Sequence, residues 1–153
     1  MSVLDLTMIS QPKDASDYIA QILEEQGPTF GLENIEYDAR LVRLYPAAIV
    51  TPGRKTKVLH STHFFRVAIE VFITIYHAQL NNSHRERTRE DLILCENVEA
   101  AIETGQMNWG ERITFAYVSE TAPGLITRAR GEQIIGTRMT VLVDSREIMS
   151  KGA

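Results

Sequence analysis

The stretch FFRVAIEVFITIYHA, residues 64–78, decides the fold. Phe65, Val67, Ile69, Val71, Ile73 and Ile75 fall on one face of an extended chain, and Arg66, Ala68, Glu70, Phe72, Thr74 and Tyr76 on the other. Side chains alternate across a strand, so period two over this length predicts a long, half-buried strand. Strands usually run to about five or six residues. One this long curves, or runs past the core as one arm of a hairpin. The second face carries Phe72 and Tyr76, with Phe64 at its start, and is too apolar for plain solvent surface. That surplus predicts self-association through Phe64, Phe72 and Tyr76.

Working outward, residues 14–26 predict a short amphipathic helix. Asp14 or Ser16 would cap it, Ile19, Ile22 and Leu23 would line its buried side, and Gly27-Pro28 would stop it. One or two strands follow between Leu32 and Thr51, ending at a turn signal, Thr51-Pro52-Gly53. After the long strand, residues 80–87 read as a loop. Residues 88–104 read as the best helix, capped by Thr88 and closed by Gly105. Its buried stripe is Leu94, Cys95, Val98, Ala101 and Ile102, broadened by Leu92 and Ile93. Two strands finish the domain, at 111–119 (Ile113, Phe115 and Tyr117 on one face) and at 133–144 (Ile135, Met139, Val141 and Val143 on one face). Between them residues 120–132 read as a long connection.

This order does not alternate as a parallel βαβ fold would. It predicts an α+β fold: a mainly antiparallel sheet of four to five strands, two helices packed on one face, and a long β-hairpin arm. Residues 1–13 read as an N-terminal extension, 14–147 as a single domain and 148–153 as a polar C-terminal tail.

Composition narrows the function by exclusion. The chain has 153 residues, net charge −4 and one cysteine, with 44% apolar and 24% charged residues. This excludes collagen, a disulfide scaffold and a disordered tail. No apolar run is long enough to span a bilayer, and no signal peptide is visible, so a cytoplasmic site of synthesis is expected. A dedicated nucleic-acid binder is more often basic overall.

Motifs for chemistry are sparse. His60-x-x-His63 sits at a loop-to-strand junction, where polar loop residues are a better reading than a zinc site. Cys95 lies in an apolar stripe and reads as a core cysteine. Phosphate-loop, dinucleotide, nucleophile-elbow and zincin motifs are missing. No catalytic, cofactor or metal residue is assigned. Basic residues cluster at Arg54-Lys55-x-Lys57, Arg85-x-Arg87-x-Arg89 and Arg128-x-Arg130. Such clusters are solvated loops or contacts with acidic surfaces. Trp109 reads as a lid on the core or, more sharply, an interface anchor.

The order of elements resembles the tail terminator, or tail completion, proteins of bacteriophage necks. The resemblance rests on Leu44 to Gly53 as a strand entering a turn, Val58 to Ala78 as a long hairpin, Asp91 to Ile102 as an amphipathic helix, and Gly136 to Val143 as a closing strand. It covers about residues 14–147 and is a pattern of elements. It implies a structural virion protein and no enzyme. Six copies would ring the head-proximal end of the tail tube, end its polymerisation and join it to the head. The partners implied are further copies of the chain, the tail tube protein and a head-side connector, with DNA crossing the lumen without specific binding. Assembly would take place in the host cytoplasm. Arg54, Lys55, Lys57, Arg128 and Arg130 would contact partners through the 54–57 turn and the 120–132 connection, and Phe64, Phe72, Tyr76 and Trp109 would join subunits. Rival readings are a head–tail adaptor or stopper, and a small enzyme or ligand-binding module.

Overall fold

A computed structural model describes residues 11–59, 64–79, 84–105, 115–128 and 131–148. The chain runs α1 (Pro12–Gln26), β1 (Asn34–Glu36), β2 (Ala47–Leu59), β3 (Phe64–Gln79), α2 (His84–Gly105), β4 (Phe115–Thr127) and β5 (Gln133–Ile148). Short 3-10 turns occupy Gly27–Phe30 and Ala39–Leu41. One five-stranded sheet has the order β1-β2-β3-β5-β4. It is mixed: β1 pairs with β2 in parallel over three residues, and the other pairs are antiparallel.

The alternating stretch forms β3 and sits mid-sheet, between β2 and β5. Val67, Ile69, Val71, Ile73 and Ile75 are fully buried. Cross-strand neighbours Ala48 and Val50 on one side, and Met139, Val141 and Val143 on the other, extend that face. Both helices cover it. Ile19, Ile22 and Leu23 of α1, and Leu94, Val98 and Ile102 of α2, join the same apolar cluster as the sheet residues. Each such side chain contributes about 1.5–3 kcal/mol by leaving water, so this layer is the main source of stability.

Among the described residues the opposite face is covered at one end. Residues 37–46 cross over it, and Val42 packs with Ala47, Ile49, Tyr76 and Ile134 in a second apolar cluster. The crossing includes a cis Tyr45–Pro46 peptide bond.

Several expected boundaries move. Helix α1 starts at Pro12, so neither Asp14 nor Ser16 caps it. Proline at the first helical position needs no N–H partner, and the Ser16 hydroxyl instead donates to the Lys13 carbonyl inside the helix. Helix α2 starts by His84, so 84–87 are helical and Thr88 is not its cap. Leu92 and Ile93 do not broaden the buried stripe; they are 56% and 47% exposed. The signal at Thr51-Pro52-Gly53 is no turn but an irregularity within β2, where pairing with β3 shifts between Pro52 and Lys55. Most of the 120–132 connection is strand: β4 continues to Thr127, carrying Pro123 and Gly124 within it. In the sheet order β4 is an edge strand, where a proline's missing N–H costs the ladder little.

Candidate functional site

The basic cluster on β2 is part of a strand, not a turn, and pairing across the sheet decides its chemistry. Lys55 lies opposite Ile69 and Lys57 opposite Val67, on the helix-facing side beyond the core. Glu147 of β5 pairs with Phe65 at the same end. Its carboxylate meets Lys55 Nζ at 2.6 Å and Lys57 Nζ at 3.5 Å, and Lys57 stands 4.5 Å over the Phe65 ring. Lys55 first, by its hydrogen bond, holds the Glu147 carboxyl below its ordinary value of 4.5. Two of the three cations of this cluster thus have a partner within the chain, although Lys57 stays 44% exposed. Arg54, in the pairing irregularity, is exposed.

Arg128 is a second correction. It leaves β4 and turns back beneath the crossing segment. Nη2 donates to the carbonyl oxygens of Ala39 (2.9 Å) and Val42 (3.5 Å), and Nη1 to the Tyr45 hydroxyl (3.1 Å). The Tyr45 hydroxyl in turn donates to Glu132, which also accepts from the Gln79 amide. Arg128 is therefore a staple holding residues 39–45 against the sheet. A guanidinium suits this task because its planar fork reaches several acceptors at once. Gly131, at φ 77°, takes the left-handed conformation that lets this turn close. Arg130 and Trp109 lie outside the described residues.

The self-association candidates divide. Tyr76 is buried under residues 39–45 and offers a partner little surface. Sequence reading missed this because the cover comes from a segment some thirty residues earlier, with no periodicity. Phe72 is half-buried on the open face. The Arg138 guanidinium stacks over its ring, 4.5 Å from the centroid. On Phe72's other neighbour, Gly53, an added Cβ would stand 2.8 Å from the ring edge and 2.8 Å from the Glu70 carbonyl oxygen. Glycine is what lets the strand irregularity close over Phe72. Phe64 begins β3, and its side chain lies outside the described residues.

Clefts among the described residues open on this face. One, of about 670 Å³ at the far end of β2 and β3, is lined by Val58, Arg66, Ala68, Tyr117, Leu142 and Asp144. Arg66 and Asp144 form a two-bond ion pair across it, at 2.8 and 3.3 Å. Another, of about 580 Å³, lies beside the Arg128 staple and is lined by Arg40, Arg43, Tyr76, Thr127, Arg128 and Glu132. Arg40 grips Asp38 with Nε and Nη2, and these side-chain bonds, followed by the Arg40 backbone N–H, hold the Asp38 carboxyl at about 2.

A buried polar network was not foreseen. His77 sits at an irregularity of β3. Its Nε2 lies 2.8 Å from the Thr137 hydroxyl and 3.8 Å from Cys95 Sγ, and its Nδ1 lies 3.3 Å from the Asp91 carboxylate. Asp91 and Cys95 are one turn apart on α2, so the network ties that helix to two strands. The only sequence signal was that four-residue spacing. Burial pushes the Cys95 thiol up from its ordinary 9.0, against the opposing Thr137 bond. Cys95 is a buried core cysteine, as its stripe position predicted.

Among the described residues no group of three or more His, Cys, Asp or Glu is placed to hold a metal, and no helix is long and apolar enough to cross a membrane. No protein-family model matches the chain, and no curated protein matches its sequence.

Proposed function

We propose that the chain is a structural virion protein, a tail terminator that forms a ring at the head-proximal end of a phage tail tube. In this reading it ends tube growth, joins tail to head and has no catalytic role. One observation carries the reading. Exposed apolar residues lie toward two unlike sides of one sheet: Val58 and Leu59, 63% and 61% exposed on β2, and Tyr117 and Leu125, 36% and 59% exposed on β4. A ring needs a heterologous contact, in which two different patches of one subunit meet. Strand direction supports the same contact. From β2 through β3 and β5 to β4 the directions alternate, and β1 pairs with β2 only at Ala47–Ile49, so β4 of one copy set beside the rest of β2 of the next continues the alternation. The β2–β3 hairpin then acts as an arm toward the tail tube or the head-side connector, with Arg54 among its exposed cations. An adaptor would be mainly helical and a stopper a closed barrel; an open sheet with two helices fits neither as well.

Light scattering on the full chain, alone and mixed with its tail tube protein, tests the reading. The expected result is a closed multimer whose negative-stain image has a central hole wide enough for duplex DNA. Val58→Asp with Leu59→Asp should leave the circular dichroism spectrum intact and abolish the multimer. A monomer under both conditions overturns the proposal.

A further inference from the structure

We propose that the cleft between residues 39–43 and the end of β4 is a binding site for a phosphate group. This does not depend on the ring reading. Arg40, Arg43 and Arg128 converge on a volume of about 580 Å³, large enough for a phosphate and the group that carries it. Each guanidinium is held from behind. Arg40 is fixed by the Asp38 carboxylate through Nε and Nη2, which leaves Nη1 outside that pair. Arg43 is fixed through Nη1, which donates to the carbonyls of Arg40 (2.5 Å) and Val42 (3.2 Å); Nε and Nη2 lie outside those bonds. Arg128 forms the back wall through the staple. Side chains already oriented lose little freedom when a ligand arrives.

Charge points the same way. Three guanidiniums face two carboxylates, Asp38 and Glu132, which leaves local positive charge in a chain whose net charge is −4. Glu132 sets the polarity of the site. It is engaged by Gln79 and Tyr45 and stays ionised, its carboxyl lowered first by the Gln79 bond. An anion is therefore turned toward Arg40 and Arg43. The donors outside the internal bonds, Arg40 Nη1 and Arg43 Nε and Nη2, come from two side chains with the Arg128 charge behind them, and a phosphate, with acceptors in several directions, suits them better than a carboxylate with two oxygens. Two sources carry this group: free phosphate and the backbone of a nucleic acid.

The test titrates the full chain with sodium phosphate at constant ionic strength, sodium chloride making up the balance. Arginine Nε–Hε resonances are followed by NMR. The expected result is a saturable shift of the Arg40, Arg43 and Arg128 signals. Arg40→Gln with Arg43→Gln should weaken binding roughly tenfold or more. Both side chains are exposed, so this variant should keep its thermal midpoint in the absence of phosphate. A parallel titration with oligothymidylate separates the sources. Tighter binding per phosphate with a steep salt dependence assigns the site to a nucleic-acid backbone, and equal binding per phosphate assigns it to free phosphate. Linear shifts matched by chloride, or undiminished affinity in the double variant, overturn the proposal.

Discussion

Arg128 shows how one residue changes meaning between sequence and structure. In sequence it is one of two arginines in a polar stretch, open to any acidic partner. In the fold its donors go to Ala39, Val42 and Tyr45 of the same chain. Hydrogen bonds from a charged group contribute about 1.5–3 kcal/mol each, and losing the group also strands two carbonyls. Arg128→Ala should therefore lower stability by about 2–3 kcal/mol. Arg128→Lys should not restore it, because a single ammonium cannot reach all three acceptors. Urea denaturation measures both. Unchanged stability with impaired assembly would return Arg128 to the partner-contact role. Cys95 gives a second expectation at this scale. Its buried thiol, with a raised pKa, should react with iodoacetamide far more slowly in the native chain than in urea. Equal rates would mean that α2 does not cover the thiol in solution.

At the scale of elements, the far end of the sheet is held by pairs that only strand register creates. Lys55 and Glu147 are 92 positions apart and meet because β2, β3 and β5 run side by side. Glu147 has a folded pKa below its ordinary 4.5. A lowered carboxyl contributes stability that is complete above the unfolded value and is lost as pH falls through the folded value. The thermal midpoint should therefore drop on acidification below pH 4.5, and Glu147→Gln should remove part of that drop. The pair is mostly covered, yet its worth is about 1 kcal/mol, since side-chain ordering offsets most of the attraction. An identical acid profile in the variant would show that the pair contributes nothing. The β4 edge carries its own device. The Glu103 carboxylate accepts the Val118 N–H at 3.2 Å, and Pro123 has no N–H to give. Both limit indiscriminate strand pairing, so a neighbour at this edge must be selected by side chains.

For the whole molecule, the uneven covering of the sheet is the deciding property. One face is closed by α1 and α2 along its centre. The other, among the described residues, is closed where residues 37–46 cross it. Part of the apolar surplus that suggested self-association is thus spent inside the chain, on Tyr76. The exposed apolar residues used in the proposed contact are Val58 and Leu59 on β2 and Tyr117 and Leu125 on β4, with Val58, Tyr117 and the half-buried Phe72 sharing one face. Assembly through these residues should strengthen or hold with added salt, because apolar burial is not screened, whereas contacts led by Arg54 should weaken. Multimer mass measured across sodium chloride concentrations distinguishes the two.

Much of this architecture was legible in the residues. Period-two spacing in β3 and helical spacing from Leu94 to Ile102 marked the buried faces, because burial imposes those periods directly. The core role of Cys95 followed from the same pattern. Where strands began and ended was less legible, since Pro123, Gly124 and Gly53 are turn formers that an edge position and a pairing irregularity turned into strand. The roles of Lys55, Arg128, Tyr76 and His77 were not in the sequence at all. Each depends on a partner between 14 and 92 positions away, and only the tertiary structure brings such partners within hydrogen-bonding or packing distance.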